Sequence, residues 1–357
     1  MMTTTYEDAN DNDLDWDDSE YAAPESPDPP AADTQPSTGF SLFGENLFGE
    51  PVVRVSGVLA DRFTVPPFSV LNSAGGDWQD RKRAWLAYGI KGEEGRGKDL
   101  AYNIGKNAQV TVEPDGTLSY LEPEGSSGTS VFDPVLCELM YKWFSPRGGL
   151  VLDPFAGGSV RGIVAGMLGR RYHGVELRSE QVDANRLQGD QIAPPVMPAW
   201  TCGDSMEVLD GDDHDQTDFI FSCPPYADLE RYSDDPRDLS TMEYHTFIAA
   251  MKRIVLRSCR TLRNDRFAVF VVGDIRDKKG YYRGFTVDTI NAFREQGLRL
   301  YNHGILTTPV GTLALRTGKQ FVASRKLGKR HQDVLVFVKG DPRVATRTII
   351  EAEGADD

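Results

Sequence analysis

Two short strings in this chain carry residue types that could do chemistry: Asp153-Pro154-Phe155-Ala156-Gly157-Gly158-Ser159 and Ser222-Cys223-Pro224-Pro225-Tyr226. The first follows the apolar run Gly149-Leu150-Val151-Leu152, and the second follows Asp218-Phe219-Ile220-Phe221. Each reads as a buried strand that ends in a sharp loop. In open α/β sheets, ligands gather at such carboxyl ends. Glu176, closing the stretch from Tyr172, and Asp204, in Cys202-Gly203-Asp204, lie between the two strings. The small residues of the first loop let its backbone approach a ligand closely. The helix start that follows presents unpaired N–H groups to a carboxylate. Glu176 comes 23 residues after Asp153, and an acid about 20 residues on, at a strand end, can take both hydroxyls of a ribose. The phosphate-binding pattern GxGxxG is absent, since the glycines here are Gly157, Gly158 and Gly162, which counts against a nicotinamide dehydrogenase.

In the second string, two successive prolines stiffen a loop and leave carbonyls without competing N–H donors. An aromatic residue after them can stack on a base taken out of a helix. The order and spacing of the two strings, with Glu176 and Asp204 between, resembles the S-adenosylmethionine (AdoMet)-dependent methyltransferases that act on exocyclic amino groups of DNA bases. Within that family the pattern looks most like the stand-alone enzymes of tailed bacteriophages. The resemblance covers roughly residues 131–340. It implies a doubly wound, mostly parallel α/β sheet of seven strands, with the last inserted antiparallel. It also implies AdoMet as cofactor, bordered by Asp153, Phe155, Ala156, Gly157, Gly158, Ser159 and Glu176, with Asp204 on the adenine amino group. Ser222, Cys223, Pro224, Pro225 and Tyr226 would form the catalytic loop, whose acceptors hold the amine of adenine N6 or cytosine N4 out of conjugation.

The chain departs from that pattern at one position. The residue before the prolines is usually Asp, Asn or Ser, and here it is Cys223 preceded by Ser222. A thiol is a weak acceptor, so either Ser222 or Cys223 could serve. Cysteine as a near-isostere of serine leans towards cytosine N4. A nucleophilic role for Cys223 fits poorly, because carbon-5 methyltransferases place their cysteine after the prolines. Two other readings stay open: a base amine in structured RNA, and a catalytically silent DNA-binding protein that kept the fold.

The net charge of −15 is unevenly spread. The residues before Arg54 hold 13 acids and no base, while residues 54–350 hold 37 acids against 39 bases. The body of the protein is therefore compatible with a polyanionic partner, expected to be double-stranded DNA. Four cysteines without a CxxC pair, and histidines that do not cluster with them, argue against zinc and a disulfide framework. With no apolar run near the ~18 residues of a membrane span, a soluble cytoplasmic protein without metal or membrane partner is expected, in the host cytoplasm if phage-encoded.

Composition divides the chain into a disordered acidic tail over residues 1–50, a small N-terminal region over 51–130 that could recognise DNA, a methyltransferase domain over 131–345, and a flexible acidic C-terminus over 346–357. Residues 40–50 contain a tandem, Ser41-Leu42-Phe43-Gly44-Glu45 and Asn46-Leu47-Phe48-Gly49-Glu50, which reads as an apolar strap over the core edge or as a docking motif for another protein. From Val135 onward, helical and strand periodicities alternate, the signature of a doubly wound sheet. Two basic runs could contact phosphates. One is Arg316, Lys319, Arg325, Lys326, Lys329 and Arg330, within a loop expected over 306–331. The other includes Arg81 and Arg83, on a helix expected from Trp78. The segment from Ala227 to Met242 is expected to fold over the target base.

Overall fold

Alternation of apolar runs with amphipathic segments builds most of this molecule. The computed structural model describes residues 58–91, 109–112, 118–121, 132–211, 216–226, 232–311 and 313–354. The tail of 1–50 with its tandem lies outside the described residues, as do residues 51–57, 92–108, 113–117 and 122–131 of the N-terminal region and residues 227–231.

Three elements open the chain: α1 (Val58–Phe63), β1 (Val70–Asn72) and α2 (Gly76–Leu86). A hairpin of β2 (Gln109–Val112) and β3 (Leu118–Leu121) forms its own two-stranded sheet. Then come α3 (Pro134–Phe144), β4 (Leu150–Asp153), α4 (Val160–Met167), β5 (Arg171–Glu176), α5 (Ser179–Ile192), β6 (Ala199–Cys202), α6 (Ser205–Val208) and β7 (Thr217–Ser222). The remainder is α7 (Tyr244–Thr261), β8 (Leu262–Val272), α8 (Phe285–Arg294), β9 (Arg299–Thr307), α9 (Leu313–Ser324), β10 (His331–Lys339) and α10 (Pro342–Glu353).

The main sheet runs in the order β1-β9-β10-β8-β7-β4-β5-β6. Strands β8, β7, β4, β5 and β6 are mutually parallel. Strand β10 is antiparallel to both of its neighbours, as expected of the last strand. Eight strands are present rather than seven, because β1 pairs in parallel with β9, Val70 opposite Ile305. Three residues preceded by Pro66-Pro67 are too short a strand to show a period of two.

Both faces of the sheet are covered. In β8, Phe267, Val269 and Val271 face one core, with Val135, Leu139 and Ile163, while Ala268, Phe270 and Val272 face the other, with Phe247, Met251 and Phe293. Burial on both sides explains why these strands read as continuous apolar runs rather than alternating ones.

Two expected boundaries do not hold. The N-terminal region was expected to stand apart from the catalytic unit, yet α2 buries Trp78 and Trp85 in the same core as α3. Secondly, α10 occupies residues expected to be a flexible C-terminus, with Ala345 and Ile349 buried. Its start is capped by the Asp341 side chain, which accepts from Arg343 N–H, with Pro342 in the first turn.

The contact of α2 with α3 centres on Glu138, which is 2 % exposed. Its carboxylate accepts from Trp85 Nε1 at 2.8 Å and Arg81 Nε at 2.6 Å, and Lys142 lies at 2.8 Å. Burial alone would push this carboxyl up. The bonds from Arg81, Lys142 and Trp85 more than reverse that, holding it below the ordinary range. A depressed folded value means stability that is present above the unfolded value and lost as pH falls through the folded one. Glu138→Gln is therefore expected to lose about 1–3 kcal/mol in urea unfolding above pH ~5. The gap between variant and wild type should close as pH drops below about 4.

Candidate functional site

The carboxyl ends of β4, β5, β6 and β7 lie side by side in the sheet, so the four segments singled out above meet at one edge. Asp153, the last residue of β4, is fully buried. One carboxylate oxygen accepts from Arg161 Nε at 2.5 Å and from the Tyr172 hydroxyl at 2.7 Å. The other accepts from the Ser222 hydroxyl at 2.5 Å and from Phe155 N–H at 3.2 Å. Arg161, on the first turn of α4, also donates to the carbonyls of Phe155 and Ala156 and lies over the Phe132 ring at 4.6 Å. Burial works against the guanidinium charge, and the Asp153 carboxylate more than compensates, so it stays protonated. The network ties both loops to one buried ion pair.

Above this network is a cavity of about 450 Å³, within the ~300–1,000 Å³ usual for small-molecule sites. Phe155, Gly157, Gly158, Glu176, Asp204, Cys223, Pro224, Pro225 and Tyr226 line it. Asp153, Ala156, Ser159 and Ser222 do not. They form the layer beneath, with Ser159 donating to Gln188 Oε1 at 2.9 Å. Ser222 is thus corrected from a candidate amine acceptor to a residue that holds Asp153.

Each wall has a local cause. Gly157 has φ of +51°, a conformation glycine adopts without strain, and a Cβ there would meet nothing within 4 Å. Its N–H donates to Glu176 Oε2 at 3.0 Å, and Arg178 N–H donates to Oε1 at 3.0 Å. Burial raises the Glu176 carboxyl, opposed by those N–H groups and by the Arg178 charge. Asp204 caps α6 by accepting from Met206 N–H at 2.8 Å. In the proline loop, Cys223 Sγ lies 3.7 Å from the Tyr226 hydroxyl, which accepts from Gln332 Nε2 at 2.7 Å. Phe285 meets the Tyr226 ring edge-on, with centroids 6.2 Å apart.

Several lining residues carried no sequence signal: Ser73 from the N-terminal region, Asp133 from the cap of α3, and Gln332 from the antiparallel strand. Lys82, which belongs to the basic run with Arg81 and Arg83, lines the cavity as well. Lys82 Nζ and Trp78 Nε1 both donate to Asp133 Oδ2, at 3.1 and 3.2 Å. Arg161, which holds Asp153 and also lines the cavity, was not singled out in the sequence either. Tyr232, Arg237 and Asp238, from the segment expected over the base, line the cavity too.

The phosphate-contact candidates are scattered. Arg81 is committed to Glu138 and is corrected from that role, while Arg83 pairs with Asp80, both exposed. The expected loop over 306–331 contains the helix α9. Arg316 lies on that helix, and its side chain is outside the described residues. Lys329 donates to the Asp274 carbonyl at 3.1 Å, and Arg330 Nε donates to the Thr308 carbonyl at 3.2 Å. Arg325 lies over Phe321. Lys319 and Lys326 line a second cleft. Among the described residues, no helix is long and apolar enough to cross a membrane.

No family model matches the chain, and no curated protein matches it. Many solved structures share part of its fold. TrmN from Thermus thermophilus is 12% identical over 58% of this chain and 49% of its own, with a TM-score of 0.40. This chain therefore spans about half of that relative's length. The magnesium protoporphyrin IX methyltransferase ChlM from Synechocystis PCC 6803 is 12% identical over 55% of this chain and 71% of its own, with a TM-score of 0.34. The cyclase SpnF is 15% identical over 61% and 85%, with a TM-score of 0.41. None of these similarities says what this chain acts on.

Removing one member of a buried ion pair leaves the other charged and unpaired. Asp153→Asn is expected to cost about 3–5 kcal/mol of stability in chemical denaturation. The double variant Asp153→Asn/Arg161→Met should recover part of that loss, because the stranded charge goes with its partner. Equal instability of the single and double variants would show that the ion pair is not what holds the loops.

Proposed function

We propose that this protein is an AdoMet-dependent methyltransferase acting on an exocyclic amino group, adenine N6 or cytosine N4, of a base flipped out of duplex DNA. The observation that carries this reading is that Glu176 and the Gly157 loop line the same cavity as Cys223, Pro224, Pro225 and Tyr226. A nucleoside-like cofactor and a planar acceptor would meet there across one sheet edge.

The residues present suit AdoMet. Gly157 leaves open space where any side chain would project. Each Glu176 oxygen accepts one backbone N–H in the structure, and a carboxylate oxygen has a second lone pair for a ribose hydroxyl. Asp204 would take the adenine amino group, and the backbone at the start of α4 would take the carboxylate of the amino-acid end. When bound, AdoMet would supply an electrophilic methyl group for transfer to the amine nitrogen.

The chain's own part is to make that lone pair available. An exocyclic amine is conjugated with its ring, so acceptors must hold its N–H groups out of plane. With Ser222 engaged by Asp153, that role falls to Cys223 and the Pro224 carbonyl. Tyr226 would stack on the base, its ring held by Gln332 and Phe285.

Mass spectrometry of nucleosides from duplex DNA incubated with methyl-labelled AdoMet tests the reading. Labelled N6-methyladenine or N4-methylcytosine is the expected product. Label at cytosine carbon 5, or in RNA alone, would overturn it. Gly157→Val should weaken AdoMet binding at least ~10-fold, about 1.4 kcal/mol, measured by calorimetry. Cys223→Ser should retain methyl transfer, since a hydroxyl is the better acceptor. Cys223→Ala should lower kcat by ~10-fold or more, the worth of one modest hydrogen bond.

A further inference from the structure

Beside the reaction cavity the chain makes a second recess that the proline loop does not reach. Between β8 and α8, the chain turns back through a short hairpin in which Arg276 bridges to Tyr282 and Asp277 N–H donates to the Tyr281 carbonyl at 2.8 Å. Its tip carries Lys278 and Lys279, both exposed, and Tyr281, which is 72 % exposed. The one acid of the turn, Asp277, is taken up by the turn, accepting from Tyr281 N–H at 2.9 Å. The recess lies between this hairpin and the end of α9. Arg276, Lys319 and Lys326 line it with Gln320 and Ser324, and no carboxylate does. Neither Lys319 nor Lys326 has a carboxylate partner among the described residues.

The recess is rigidly set. Arg276 donates to the Gly280 carbonyl at 2.8 Å and lies 3.8 Å from the centroid of the Tyr282 ring. Lys329, just past α9, donates to the Asp274 carbonyl at the hairpin base. Burial lowers the Lys329 ammonium from its ordinary value. The base of the hairpin stands beside the proline loop. A methyl group on Gly273 would meet the Tyr226 ring at 3.5 Å and the Lys329 amine at 3.7 Å, so both flank one backbone position.

Three cations held together without an acid repel one another, and an oxyanion removes that cost. Exposed tyrosines beside lysines add a stacking face to the charge. We infer that the 274–284 hairpin and the end of α9 form a phosphodiester grip, which holds the nucleic-acid backbone next to the target base. This inference rests on the reading of the protein as a nucleic-acid methyltransferase and names where that substrate is held. Tyr281, Lys278 and Lys279 belong to it, although nothing in their spacing marks them out.

The test is fluorescence anisotropy of the full chain, with AdoMet present, against a labelled 20-bp DNA duplex and an RNA hairpin over a series of KCl concentrations. Each lost phosphate contact lowers the slope of log K against log salt by ~0.9. Lys319→Gln/Lys326→Gln should weaken binding ~10-fold or more and lower that slope by about 2, with AdoMet affinity unchanged. Lys278→Gln/Lys279→Gln, at an exposed tip, provides the same readout should the first variant misfold. Loss on the RNA hairpin alone would uphold the grip and move the substrate to RNA. Wild-type affinity and slope in both variants would overturn the grip and leave the methyltransferase reading standing. If wild-type protein binds AdoMet but neither nucleic acid, the grip and the nucleic-acid reading both fail.

Discussion

One buried carboxylate governs the arrangement of the site. Asp153 has no access to water, and four hydrogen bonds from Arg161, Tyr172, Ser222 and Phe155 use its oxygens. An isolated charge at that depth would be very costly. The arginine, the tyrosine and the serine therefore hold positions set by it, and the loops that carry them follow. Arg161 passes the constraint on by binding the carbonyls of Phe155 and Ala156. The loop after β4 and the loop after β7 are thus tied to one carboxylate, although about seventy residues separate them.

The sheet supplies the second constraint. Parallel strands bring their carboxyl ends to one edge, and the crossover helices keep the intervening chain off it. Strand β10 then enters antiparallel, so its amino-terminal end, not its carboxyl end, arrives at the site. That reversal is why Gln332 reaches the Tyr226 hydroxyl, and why the basic segment after α9 lies beside the proline loop. The extra strand β1 has a similar consequence. By pairing with β9 it brings Ser73 to the cavity, and α2 behind it brings Lys82.

Charge is sorted by burial. The cations that face inward, Arg161 and Arg81, each neutralise a buried carboxylate and contribute to the fold. Lys278 and Lys279 on the 274–284 hairpin and Lys319 on α9 are exposed, and among the described residues none has a carboxylate partner. A charge run in a sequence says nothing about which kind a cation belongs to. Arg81 and Arg83 stand two residues apart on one helix, yet one is bound to Glu138 and the other to the exposed Asp80.

The local sequence determined the strands from Leu150 onward, most of the helices between them, and the two loops at the carboxyl ends of β4 and β7. Those features come from apolar periodicity, prolines and glycines, which act over a few residues and so are legible in order. The helix α9 within 306–331 and the helix α10 over the acidic end were not read correctly, because charge in both segments obscured modest apolar faces. Tertiary structure alone decided which polar residues of the loops face the cavity. Ser222 and Cys223 are neighbours, and a strand alternates its side chains, so one turns to Asp153 beneath and the other to the open side. Which side is which depends on where Asp153 sits, and that is set by pairing across the sheet. The same holds for Lys82, Asp133 and Gln332, brought together from distant parts of the chain by contacts that no local pattern records.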